Sequence, residues 1–160
     1  MLQKIKKARS RQSGGQFAIV ASRCNARYGD AMLRAAKAEL QRSGAARVQV
    51  IRVPGAYEIP VVAARLAAQK DPAWSAILCL GVILRGATTH AQHIGEAVSQ
   101  ALAQIQVLHQ IPVIHEVLLL ENEQQARERC LSQDHNRGVE AARTALEMAR
   151  VMRQLERKPL

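Results

Sequence analysis

Aromatic side chains are nearly absent: Phe17, Tyr28, Tyr57 and Trp74 are the whole set in 160 residues. A core must therefore be built from Ala, Val, Leu and Ile, which suits close packing of helices on a sheet. Cysteine is also scarce and odd in number. Cys24, Cys79 and Cys130 contain no C-x-x-C pair, which argues against a disulfide framework and against a zinc knuckle. No apolar run reaches the length of a membrane span, and no signal-peptide core follows the basic start. The expectation is one reduced, soluble, cytoplasmic protein with no membrane partner, long enough for a core without staples.

Acidic residues are missing from the start of the chain. Lys4, Lys6, Lys7, Arg9 and Arg11 supply half of the net charge of +10 before residue 14. Residues 1–15, ending in Ser13-Gly14-Gly15, read as a flexible basic arm, and 16–160 as a single domain. The arm is expected to be a solvated tail. It has no interleaved aromatics to stack on bases, so nucleic acid is not an expected partner.

Beyond the arm, strands and helices alternate. Gln16–Ser22 is a short buried strand, and Asp30–Ser43 has helical spacing through Met32, Leu33, Ala36 and Leu40. Val48–Val53 is a second strand, closed by Pro54-Gly55. A helix with Pro60 in its first turn runs to about Lys70. Ala76–Leu80 is a third strand, followed by a loop and a helix from about Thr89 to His109. Pro112–Leu118 is the fourth strand. Glu123 to about Leu131 makes a short helix, and Asp134-His135-Asn136 caps a longer one that Lys158-Pro159 ends. Right-handed crossovers then give a four-stranded parallel sheet with helices on both faces, a three-layer, flavodoxin-like α/β sandwich. In such sheets ligands bind beyond the carboxyl ends of the strands.

The unusual residues fall at those ends. Val53-Pro-Gly-Ala-Tyr-Glu-Ile-Pro60 puts Glu58 at a strand-to-helix junction, where the helix dipole favours an acid whatever its role. Leu80-Gly-Val-Ile-Leu-Arg-Gly-Ala-Thr-Thr-His90 offers backbone amides, hydroxyl caps and a helix N-terminus to an anion, with a proton-transfer group beside them. It is not a P-loop, because no Gly-Lys-Ser/Thr follows, and the chain has no G-x-G-x-x-G. His90 and His93 lack H-E-x-x-H spacing and a third ligand, so no metal is expected. Cys24 sits where a phosphatase nucleophile would, but that chemistry needs an arginine six residues on and position 30 is Asp. A small buried thiol is the expectation for it. Either Arg127 or Arg129 could clamp a phosphate through its planar guanidinium.

Together, Pro54–Pro60, Arg85–His90, Glu121-Asn122, Glu128-Arg129 and Asn136–Ala142 resemble the 6,7-dimethyl-8-ribityllumazine synthase family across roughly Gln16 to Arg153. The resemblance implies condensation of 5-amino-6-(D-ribitylamino)uracil with 3,4-dihydroxy-2-butanone 4-phosphate, the penultimate step of riboflavin biosynthesis. It implies that Ala56, Tyr57 and Glu58 hold the ribityl chain, and that Val82, Ile83 and Leu84 meet the pyrimidine edge through backbone groups. Gly86, Ala87 and Thr88 would take the phosphate with Arg129, and His90 would shuttle protons. Cys24, Asn25 and His115 would border the pyrimidine. The family usually carries aromatics where Cys24 and His115 stand, and Tyr28 is a candidate to cover part of that gap. No cofactor is implied. The expected assembly is a homopentamer or higher, with sites between neighbouring subunits. Two other readings fit the same residues: a paralogue that binds a flavin or pyrimidine without turnover, and a shell-forming scaffold.

Overall fold

A computed structural model describes residues 14–157. Residues 1–13 of the expected arm at 1–15 and the Lys158-Pro159 stop lie outside the described residues. Gly14 and Gly15 are part of the fold instead: the Gly14 amide donates to the Gly44 carbonyl at 3.0 Å, and the Gly15 carbonyl accepts from the Ala46 amide at 2.9 Å. Strand β1 (Gln16–Ser22) is followed by helix α1 (Ala26–Arg42) and strand β2 (Arg47–Val53). A 3-10 turn (Ala56–Glu58) leads into α2 (Ile59–Ala67), then β3 (Ala76–Leu84), α3 (His90–His109) and β4 (Val113–Leu120). Helices α4 (Glu123–Cys130) and α5 (Arg137–Arg157) complete the described part. The four strands are parallel in the order β2-β1-β3-β4.

Each face of the sheet has its own apolar cluster. On one, Phe17, Ile19, Leu78 and Leu80 pack against Met32 and Leu40 of α1 and a row of small residues on α5: Ala141, Ala142, Ala145 and Ala149. On the other, Val20, Ile77 and Cys79 meet Ile59 and Ala63 of α2 and Val98 and Leu102 of α3. Alternate strand residues point to opposite faces, so the nearly continuous apolar runs of β1 and β3 are what a sheet covered on both sides requires. Burial holds the Cys79 thiol well above its ordinary range, as expected for a packing residue.

The expected fold class stands, with several boundaries moved. Helix α1 begins at Ala26, four residues before the expected Asp30, and α2 ends at Ala67, before Lys70. The larger correction concerns β3. The stretch Gly81–Leu84, expected to belong to a loop, is strand, because its ladder with β4 continues to Leu84↔Leu120. The β1 ladder stops earlier, at Ala21↔Leu80. Backbone groups of alternate residues point to the same edge of a strand. The edge of Val82 and Leu84 that faces β1 therefore extends past the point where β1 can pair with it.

Candidate active site

That half-vacated strand edge is the floor of the candidate site. Beside it, the 3-10 turn Ala56–Glu58 packs against both β3 and α3, which places Ala56, Tyr57 and Glu58 next to the end of β3. Ala56 is buried, whereas Tyr57 and Glu58 are exposed. Gly55 explains how Glu58 is held: a Cβ there would lie 2.8 Å from Glu58 Oε2, so only a glycine leaves room for the carboxylate over the turn. Pro60 sits in the first turn of α2, where its missing N–H is not needed.

Beyond the end of β3, Gly86, Ala87, Thr88, Thr89 and His90 are all exposed. Helix α3 begins at His90, and the His90 amide donates to Thr88 Oγ1 at 3.4 Å. The expected hydroxyl cap is therefore Thr88, while the Thr89 side chain makes no capping bond. A Cβ at Gly86 would meet nothing within 4 Å. No packing within this chain requires a glycine there, and an external group could approach its backbone closely. An amino-terminal helix end with free amides favours an anion.

Cys24 is exposed, not the buried thiol expected from sequence. It precedes Asn25, whose backbone is left-handed (φ 54°, ψ 46°), and the tight turn carries Cys24 out of the packed layer. Asn25 Nδ2 donates to the Val82 carbonyl at 2.8 Å. Tyr28 is no substitute for the missing ring at Cys24. It is buried, and its hydroxyl donates to Glu123 Oε2 at 3.2 Å.

His115 and Arg129 are separated from these groups in different ways. His115 lies mid-strand on β4, opposite Cys79. Its Nδ1 accepts from the Val117 amide at 3.2 Å, and Nε2 sits 2.7 Å from Ser99 Oγ on α3. Ser99 Oγ in turn donates to the Gly95 carbonyl at 2.8 Å. With Nδ1 accepting, Nε2 carries the proton and donates to Ser99. Partial burial against α3 holds the imidazole below its ordinary value, although a backbone hydrogen bond opposes the shift. The ring is thus a neutral, anchored donor near neutrality.

Arg129 belongs to α4, which packs on α1, α5 and β4. Its charge acts on Glu116, the neighbour of His115 that points to the opposite face. His90 and Thr88 start α3, the helix on the other side of the sheet. Within one chain the arginine and the amino end of α3 therefore belong to opposite faces. Arg127, the alternative clamp, is paired with Glu123 at 3.4 Å. Arg129 makes no ion pair among the described residues.

Sequence reasoning missed the Glu116–Arg137 pair. Glu116 is buried within β4 and accepts from Arg137 Nε and Nη2, both at 3.0 Å, while Arg137 also reaches Glu140. Burial raises the Glu116 carboxyl, and Arg137 only partly offsets it. A charge inside an otherwise apolar strand was the available signal, since buried carboxylates need a partner. Asn136 is the cap expected for α5: it accepts from the Gly138 amide at 2.8 Å and donates to the Cys130 carbonyl at 2.7 Å. Among the described residues, no group of three or more His, Cys, Asp or Glu side chains could hold a metal ion.

The family model for 6,7-dimethyl-8-ribityllumazine synthase matches residues 14–153. The chain belongs to that family. A 6,7-dimethyl-8-ribityllumazine synthase of Stenotrophomonas maltophilia (strain R551-3) is 42% identical over 142 residues, 88% of this chain and 90% of the relative. One from Desulfotalea psychrophila is 39% identical over 145 residues, covering 89% and 92%. The lumazine synthase match begins at Gly14, where the described structure also begins, and extends over every strand.

Proposed function

We propose that this chain condenses 5-amino-6-(D-ribitylamino)uracil with 3,4-dihydroxy-2-butanone 4-phosphate to give 6,7-dimethyl-8-ribityllumazine, phosphate and water. The observation that carries the reading is the meeting of three segments at one end of the sheet: the Ala56–Glu58 turn, the open edge of Val82 and Leu84, and the amino end of α3. Glu58 accepts hydrogen bonds from ribityl hydroxyls, next to the backbone of Ala56 and Tyr57. The amide and carbonyl of Leu84 offer the pyrimidine a donor and an acceptor side by side, with Val82 and Ile83 holding the strand beneath the ring. Cys24 borders the ring from the same chain, and His115, which one chain holds mid-strand on β4 away from that edge, borders it from a neighbouring copy.

Gly86, Ala87 and Thr88 take the phosphate at the helix end, and Arg129 supplies the bidentate positive charge. The amine adds to the ketone, water leaves to form an imine, phosphate is eliminated, and the ring closes as the second amine adds to the remaining carbonyl with loss of a second water. His90 moves protons in these steps, a role suited to imidazole near neutrality. Orienting two substrates together contributes on the order of 7–11 kcal/mol, so one proton shuttle and an anion site suffice. No metal or organic cofactor takes part.

Because Arg129 and His90 belong to opposite faces of one chain, we infer that a complete site joins two copies in a homopentamer or a larger homo-oligomer. A heterologous junction of this kind closes into a ring. We place the enzyme in the cytoplasm, where cysteines such as the exposed Cys24 stay reduced. Among the described residues no helix is long and apolar enough to cross a membrane. Purified protein mixed with both substrates is expected to form the fluorescent lumazine faster than the uncatalysed condensation. Pyrimidine binding with no rate above that background would instead support the non-catalytic binder.

A further inference from the structure

The turn between β1 and α1 spends its polar groups on other strand ends. Asn25 stands at the N-cap position of α1, yet its side chain makes no capping bond. It donates instead to the carbonyl of Val82, fifty-seven residues away in sequence, at 2.8 Å. The two preceding residues bind β2 and its exit: the Arg23 amide donates to the Val53 carbonyl at 2.8 Å, and the Cys24 amide to the Pro54 carbonyl at 3.1 Å. Arg52 adds bonds from its guanidinium to the carbonyls of Ala21 and Ser22, and pairs with Asp30 at 2.7 Å. Three consecutive residues thus tie the carboxyl end of β2 to that of β3.

Each tied point is the root of a site segment. Pro54 leads directly through Gly55 to Ala56–Glu58. Val82 lies on the same strand edge as Leu84, two residues before it, and β1 has ceased to pair at Leu80. Without the Asn25 amide, no strand holds that edge at Val82; β4 holds only the other side. The left-handed backbone at Asn25 aims the side chain across the gap, and asparagine adopts that conformation at little cost.

We propose that Asn25 is a positioning residue: through the Val82 carbonyl it fixes the open backbone edge at Leu84 relative to the Ala56–Glu58 turn, and thereby sets affinity for the pyrimidine substrate. This rests on the assignment of Val82–Leu84 to the pyrimidine. Asn25 touches no reacting atom in this scheme, and one of its two Nδ2–H donors is committed to the Val82 carbonyl.

Two variants test it. Asn25→Asp keeps size and tolerance of the left-handed backbone but replaces the donor with an acceptor facing a carbonyl. Asn25→Gly keeps the backbone conformation and removes the side chain, so it folds even where the aspartate does not. In both, KM for the pyrimidine is expected to rise about five- to tenfold, the effect of one lost hydrogen bond. KM for the butanone phosphate and kcat should stay within about twofold. An unchanged pyrimidine KM overturns the proposal. So does a parallel change in both KM values and kcat, which is what general loosening produces. Calorimetric titration with the pyrimidine alone separates this proposal from the reaction assignment. If the wild type binds pyrimidine without condensing it, about five- to tenfold weaker binding by Asn25→Gly upholds the positioning role and only the reaction assignment falls. Equal binding, or no pyrimidine binding by the wild type, overturns the positioning role.

Discussion

At Gly55 the missing side chain serves a neighbour. Its φ of −137° is open to any residue, but a Cβ would sit 2.8 Å from Glu58 Oε2. Gly55→Ala should therefore leave the fold alone and swing the carboxylate off the turn, because Glu58 is exposed and its tip is free to move. The expected result is about a fivefold rise in KM for the ribityl substrate, with the melting temperature within about 2 °C of wild type. Steady-state kinetics with a thermal melt checks both, and an unchanged KM would detach Glu58 from the ribityl chain. Glu58 was legible in sequence because a Pro-Gly exit followed by an acid and a proline spells a strand-to-helix junction. Exposure of Cys24 was not, since it depends on the left-handed backbone of Asn25, a conformation that no periodicity records. Nor could the single letter at Tyr28 show that its ring turns into the core toward Glu123.

Among the helices, α1 and α5 pack most closely. Gly138 stands where a Cβ would overlap the Met32 carbonyl oxygen, a backbone atom with no freedom to move aside. The alanines 141, 142, 145 and 149 extend this close approach along the helix, which is how a chain with four aromatic residues fills its core. Gly138→Ala should destabilise the protein by roughly 3 kcal/mol, lowering the melting temperature by about 6–12 °C. A variant that melts with the wild type would mean the two helices are not held this close. The order and type of the elements could be read from hydrophobic period, because each buries one face or two. Their ends could not, wherever long-range pairing decides: β3 extends to Leu84 only because β4 accompanies it. The open edge behind the pyrimidine proposal arises from that difference in ladder lengths.

Over the whole molecule, buried acids pair with arginines and couple helices. Glu39 of α1 accepts from Arg143 Nε of α5 at 2.9 Å and from Arg42 at 2.7 Å. Burial alone would raise the Glu39 carboxyl, but the hydrogen bonds and charges of the two arginines together outweigh it and leave it below the ordinary 4.5. A depressed carboxylate contributes stability that is fully present above its unfolded value and is lost as pH falls through the folded one. Glu39→Gln should thus melt below wild type at pH 7, with the gap closing as pH drops beneath 4.5. Melts across pH check this, and a gap that stays constant into acid would assign the loss to packing. Glu116 acts in the opposite sense, since burial raises its carboxyl.

The separation of Arg129 from the amino end of α3 is a property of the fold as a whole, invisible at any one motif. It leads to the claim that two copies build each condensation site. The most direct measurement mixes inactive His90→Ala and Arg129→Ala chains, unfolds and reassembles them together, and follows lumazine formation. Junctions pairing His90 of one chain with Arg129 of its neighbour should restore about one quarter of wild-type activity under random mixing around a ring. A mixture no more active than the two variants assayed separately would contradict the shared site.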